Sequence, residues 1–130
     1  IMKSLNDIFQ LTPTRKPKSN NPITFRREKL IRNINKQLKN IDDTKLGKRT
    51  YNNWFWINED NKFHLSIKYG KQEIELSKNK FSIICENLDE VETSLTKIKE
   101  LTYSGQFDLI LTEMSKEIRS NFKRSKPTTS

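Results

Sequence analysis

Tyr51-Asn52-Asn53-Trp54-Phe55-Trp56-Ile57, then a polar break at Asn58-Glu59-Asp60-Asn61-Lys62, then Phe63-His64-Leu65-Ser66-Ile67-Lys68-Tyr69: this is the stretch whose reading decides the fold. Phe63, Leu65, Ile67 and Tyr69 alternate with His64, Ser66 and Lys68, the period of a strand with one buried face. Gly70-Lys71 turns the chain, and Ile74 and Leu76 then alternate with Glu73 and Glu75. Ser77-Lys78-Asn79-Lys80 turns it again, and Phe81, Ile83 and Cys85 close the set. Connections this short join antiparallel neighbours only, so residues 51–85 read as a meander of four strands.

On either side of this stretch the apolar period changes to that of a helix. Upstream, Asn21-Pro22-Ile23-Thr24 signals a helix start, with Thr24 as the expected N-cap. Leu30, Ile34, Leu38 and Ile41 then share one face, while Lys29, Arg32, Lys36 and Lys39 share the roughly opposite one. Asp42-Asp43 ends that helix, and Gly47-Lys48-Arg49 leads into the sheet. Downstream, Asn87 and Glu90 make a capping-box-like pair before an apolar seam of Leu88, Val91, Leu95, Ile98 and Leu101. Gly105 suits the left-handed position that ends a helix, and a last helix carries Phe107, Leu111, Met114 and Ile118 on one side. The expected class is α+β: a three- or four-stranded antiparallel β-meander preceded by one helix and followed by two, with flexible basic termini. The expected division is a basic arm at 1–23, a single α+β domain at 24–122 and a basic tail at 123–130. A double-stranded-RNA-binding order (helix, three strands, helix) is the nearest alternative.

Charge separates along the chain. The formal net charge is +9, yet residues 1–49 alone carry +9 and residues 86–122 carry −4. A basic half of this kind favours a polyanionic partner. One cysteine cannot form an intramolecular disulfide, so a reducing cytoplasm is the expected compartment, that of a bacterial host if the gene belongs to a phage. No apolar run approaches a membrane span and no signal-peptide core is visible, so no membrane partner is expected. A lone histidine and a lone cysteine cannot assemble a His/Cys metal site, and the glycines form no phosphate-cradling loop. The chain is therefore expected to be non-enzymatic, with no cofactor, no metal and no small-molecule substrate. His64 is expected to be solvated on the polar strand face, and Cys85 to be core.

Two groups of residues could carry function. Arg26, Lys29, Arg32, Lys36, Lys39, Lys48 and Arg49 form a cationic set able to track phosphates, although a solvated basic face reads the same way. Trp54 and Trp56 share a strand face by parity, with Tyr51, Phe55 and Ile57 on the other; they either pack beneath the first helix or stack on bases. Together they suggest nucleic-acid binding that prefers single strands and has weak sequence preference. In the arm, Leu5, Ile8 and Phe9 form an apolar patch, which is either part of a disordered terminus or a docking element. That patch and the charge separation support the alternative of a non-enzymatic adaptor or inhibitor that binds a host protein, in a host-takeover or anti-defence role. A homodimer is compatible with either reading.

The run Trp54, Leu65-Ser66-Ile67-Lys68-Tyr69-Gly70, Ile74-Glu75-Leu76-Ser77-Lys78-Asn79-Lys80, Leu88 and Gly105-Gln106-Phe107-Asp108 resembles an uncharacterised family of small basic proteins from phage and bacterial genomes. The likeness covers nearly the whole chain, Arg27 and Lys29-Leu30 included, and implies a mobile-element setting without a mechanism. Over residues 62–102 alone, Phe63 to Tyr69, Gly70-Lys71, Ile74 to Leu76, Lys80 to Ile84 and Leu88 to Leu101 look like the positive-cofactor-four type of transcriptional coactivator. That resemblance implies single-stranded DNA across the sheet and a dimer through the helix. This chain departs from it in its short inter-strand loop, its acidic helix and its additional last helix.

Overall fold

The computed structural model describes residues 4–16 and 21–124, with side chains to residue 120. Its elements are α1 (Leu5–Ile8), α2 (Pro22–Lys45), β1 (Phe55–Ile57), β2 (Phe63–Ser66), β3 (Lys68–Tyr69), β4 (Gln72–Glu73), β5 (Ser82–Cys85), α3 (Leu88–Tyr103) and α4 (Asp108–Arg124). The class is α+β, with one long helix before the strands and two after. The first and last parts of the expected arm and tail, residues 1–3, 17–20 and 125–130, lie outside the described residues.

Asn21, not Thr24, caps α2. Its side-chain oxygen accepts from the Ile23 and Thr24 backbone N–H groups at 3.0 and 3.4 Å. Pro22 fills the first helical position, where its missing N–H has no partner to lose. At the other end Gly47, at φ +77°, closes a Schellman motif: its N–H reaches the Thr44 carbonyl and the Lys48 N–H reaches that of Asp43. Gly105 does the same for α3, at φ +90°. Asn87 caps α3 by accepting from the Glu90 N–H at 2.9 Å, while the Glu90 carboxylate takes the Glu86 N–H rather than that of Asn87.

The main sheet has three strands, within the three or four expected. β1, β2 and β5 form one antiparallel sheet in that order, with Phe55 opposite Leu65 and Leu65 opposite Ile83. β3 and β4 form a separate hairpin around Gly70, which turns at φ +66°. The run Phe63–Tyr69 meets both partners along one edge. Ser66 pairs with Ser82, the next residue, Ile67, accepts from the Ile74 N–H at 2.7 Å, and residues 75–81 between these pairings form a turn closed by a bridge from Ser77 to Lys80. Ile74 and Leu76 alternate like a strand because Ile74 is fully buried and Leu76 packs on the core, yet only Gln72–Glu73 pairs as β4.

Phe55 and Leu65 face inward with Ile83, and the core closes over them with Leu30, Ile34 and Ile41 of α2, Val91 and Leu95 of α3, and Leu111 of α4. α2 packs on both α3 and α4. Trp56, His64 and Ile84 form the row on the outer face.

Candidate nucleic-acid interface

The loop entering the sheet is held by the amides of α2. Gln37 is buried; its Nε2 donates to the Asn52 carbonyl at 3.0 Å and its Oε1 accepts from the Trp54 N–H at 2.8 Å. Asn40 donates to the Tyr51 carbonyl and to Asn53 Oδ1. Trp54 lies one residue ahead of β1, so strand parity does not govern its side chain, and its ring joins the core at 7% exposure. It is therefore unavailable for base stacking, and the pairing of Trp54 with Trp56 on one face is corrected.

Trp56 is 40% exposed and stacks on His64, with ring centroids 5.7 Å apart and planes 24° apart. His64 is not solvated as expected but only 9% exposed, covered by the indole and bonded through Nε2 to Asp60 at 2.9 Å. That hydrogen bond, more than the one from the Lys62 N–H, holds the Asp60 carboxyl below its usual range. Trp56 lies on the sheet face turned away from the helices, so the structure does not bring it together with the cations of α2.

Those cations divide by what they touch. Arg27, which also belongs to the basic segment, is taken up by a bidentate pair with Asp108 that holds that carboxyl below its usual range. Lys45 is held by Asp89 at 2.6 Å and Glu92 at 2.9 Å, which raise the pKa of its ammonium above its ordinary value. Arg26 donates to Thr112 Oγ1 at 3.1 Å, and the Lys29 ammonium sits 4.7 Å from the Tyr69 ring centroid. Arg32, Lys36 and Lys39 are exposed, as are Lys48 and Arg49; the Arg49 guanidinium lies 5.7 Å from the Tyr51 ring. Among the described residues none of Lys29, Arg32, Lys36, Lys39, Lys48 and Arg49 forms a salt bridge with a carboxylate.

Two recesses follow one another along α2. The first, about 200 Å³, lies between the start of α2 and α4 and is lined by Phe25, Arg26, Lys29, Tyr69 and Arg119 among others. The second, about 230 Å³, is lined by Asn33, Lys36, Gln37, Asn52, Trp54 and Gly70. Among the described residues no carboxylate lines either one. Tyr69 and Gly70 are consecutive, and Lys29, Asn33 and Lys36 lie within about 60° of one another around the helix, so the recesses form one interrupted groove. Arg32 and Lys39 stand on its bank, about 60–80° round from Lys29. Phe25 is 55% exposed at one end. Sequence reasoning passed over Phe25 and Arg119. Phe25 follows a helix start with no strand pattern around it, and Arg119 meets α2 only because α4 packs there.

Cys85 and His64 are on adjacent strands but one register position apart, hence on opposite sheet faces. Burial pushes the Cys85 thiol up, with Ser94 opposing more weakly. Among the described residues no cluster of three or more His, Cys, Asp or Glu side chains is arranged to hold a metal, and no helix is long and apolar enough to cross a membrane. The chain matches no protein-family model, no curated protein and no solved structure.

Proposed function

We propose that this protein is a small, non-enzymatic nucleic-acid-binding protein that takes a single strand along the α2 groove with little sequence preference. The observation that carries this reading is the cationic stripe from Arg26 through Lys29, Arg32 and Lys36 to Lys39, beside a groove that no carboxylate among the described residues lines. Lys29 to Lys39 spans about 15 Å of helix, room for roughly four phosphates at 3.4 Å per nucleotide. Phe25 offers an exposed ring for one base at the groove's end, with Arg119 opposite for its phosphate. Trp56 offers a second, separate stacking surface on the outer sheet face. Lys48 and Arg49 extend the positive field beyond the end of α2. The resemblance to small basic phage and bacterial proteins adds a mobile-element setting and a cytoplasmic one.

Fluorescence anisotropy with labelled single- and double-stranded oligonucleotides at two salt concentrations tests this. Micromolar binding at low salt that falls steeply as salt rises supports it, because released counterions drive such binding. Absence of binding at low salt removes it. The exposed apolar residues Leu5, Ile8 and Phe9 support the second reading, an adaptor or inhibitor of a host protein. A purified partner that stays bound after nuclease treatment distinguishes that reading, because a contact made through nucleic acid is lost.

A further inference from the structure

A larger recess lies away from the α2 groove. It is a cleft of about 610 Å³ between the loop after β4 and the exposed side of α4. Leu76, Phe81, Leu109 and Met114 give it an apolar lining, and Phe81 and Leu109 remain 43% and 75% exposed. Glu73, Glu75, Glu113 and Glu117 also line it, with Lys78 as the one cation among the described residues. An apolar cleft with an acidic rim is complementary to an apolar segment that carries positive charge.

The chain itself contains such a segment. Leu5, Ile8, Phe9 and Leu11 of the arm are 54–64% exposed, and no residue of α1 is buried. Arg15 and Lys16 follow them, and Asp7, bonded to Ser4, is the segment's one carboxylate. α1 is a single turn closed at its N-terminal end by that Ser4–Asp7 contact, and its apolar side chains are left exposed. In this structure the arm does not fill its own domain's cleft: Leu5, Ile8, Phe9 and Leu11 stay exposed, and none of them lines it.

We infer that the cleft receives the N-terminal arm of a second copy, so that two chains associate by reciprocal exchange of arms. Leu5, Ile8 and Phe9 enter between Phe81 and Leu109, while Arg15 and Lys16 meet the glutamates of the rim. A two-fold exchange of this kind makes the same contact twice. It leaves both α2 grooves open, and it stands whether or not those grooves bind nucleic acid.

Sedimentation velocity of the nuclease-treated 130-residue chain tests the inference over a range of concentrations. The expected result is a monomer–dimer equilibrium. Phe9→Asp in the arm, or Glu113→Lys with Glu117→Lys in the cleft, should each raise the dimer Kd by about tenfold or more. All three positions lie on exposed surface, and circular dichroism verifies that each variant is folded. Combining Arg15→Glu and Lys16→Glu with the Glu113→Lys and Glu117→Lys pair should restore association by reversing both partners' charges. Mixing the arm variant with the cleft variant should also recover a dimer weaker than wild type, since one of its two contacts is intact. Wild-type protein that stays monomeric at every concentration overturns the inference, as does a dimer indifferent to both sets of substitutions. Amide exchange that shows a protected arm in a monomer assigns the cleft to the chain's own arm, and also overturns it.

Discussion

Charge reversal at Lys36 isolates the contribution of the α2 groove. Lys36 is exposed, lines the second recess and forms no ion pair with a described carboxylate, so its replacement by Glu breaks no such pair. Surface substitutions of this kind usually change stability by about 0.5 kcal/mol or less. If four phosphates lie along Lys29–Lys39, the slope of log K against log salt is about −0.7 per contact, or close to −3 for a single strand. Affinity then falls roughly fiftyfold between about 50 and 200 mM salt. Losing the Lys36 contact lowers the slope to about −2 and that fall to roughly twentyfold. Affinity at the lower salt also drops, because the glutamate repels the phosphate it faces. Anisotropy titrations of both proteins with one labelled oligonucleotide at several salt concentrations measure both effects, with a thermal melt by circular dichroism alongside. A Lys36→Glu protein that melts like wild type and binds with the same affinity and the same slope refutes the groove as the phosphate track.

The two tryptophans should separate in a urea unfolding series. Trp54→Ala, in the core, should cost about 3–5 kcal/mol, whereas Trp56→Ala, already half in solvent, should cost markedly less; equal losses would contradict their different burial. Gly105→Ala places a Cβ 2.9 Å from both Arg27 Nη2 and Asp108 Oδ2 and puts alanine at φ +90°. It should lose about 1–2 kcal/mol for the backbone alone, and more as the ion pair is displaced; a melt unchanged from wild type would show that the α3–α4 junction gives way freely. The depressed folded-state pKa of Asp108 means that its pair with Arg27 stabilises the fold above the ordinary carboxylate pKa of about 3.9 and is lost as pH falls through the lower, folded value. Asp108→Asn should therefore narrow the stability difference between neutral pH and pH about 3, and an unaltered acid limb in urea titrations would assign acid sensitivity to other groups.

Several parts of this fold are legible in the chain because they depend on neighbours a few residues away. The apolar rows of α2, α3 and α4 recur at helical spacing, and the Asn87 cap and Gly105 closure each satisfy backbone groups within one turn. The alternation from Phe63 to Tyr69 marks a strand for the same reason, since successive side chains must point to opposite faces. The same local logic misleads at Ile74 and Leu76. Both backbones do pair, Ile74 N–H with the Ile67 carbonyl and Leu76 N–H with that of Lys80, but the alternating burial runs on past the regular ladder, which stops at Glu73. It also misplaces the start of α2, where Asn21 and Thr24 are both competent caps and Pro22 decides between them.

The sequence by itself determines the α+β class, the order of helix, strands and helices, and the concentration of positive charge in the first 49 residues. Only the tertiary structure decides which charges and rings remain free to act. Arg27 is consumed by a carboxylate 81 residues away, and Lys45 by two on α3. Trp54 is drawn into the core by the grip of Gln37, while Trp56 stays at the surface over a histidine that the chain pattern places in solvent. Phe25 and Arg119 share a recess only because α4 packs against the start of α2. The physical reason is the same in each case. A side chain's chemistry is local, but its solvation and its partners are set by whichever distant surface covers it, and no spacing within one segment encodes that surface.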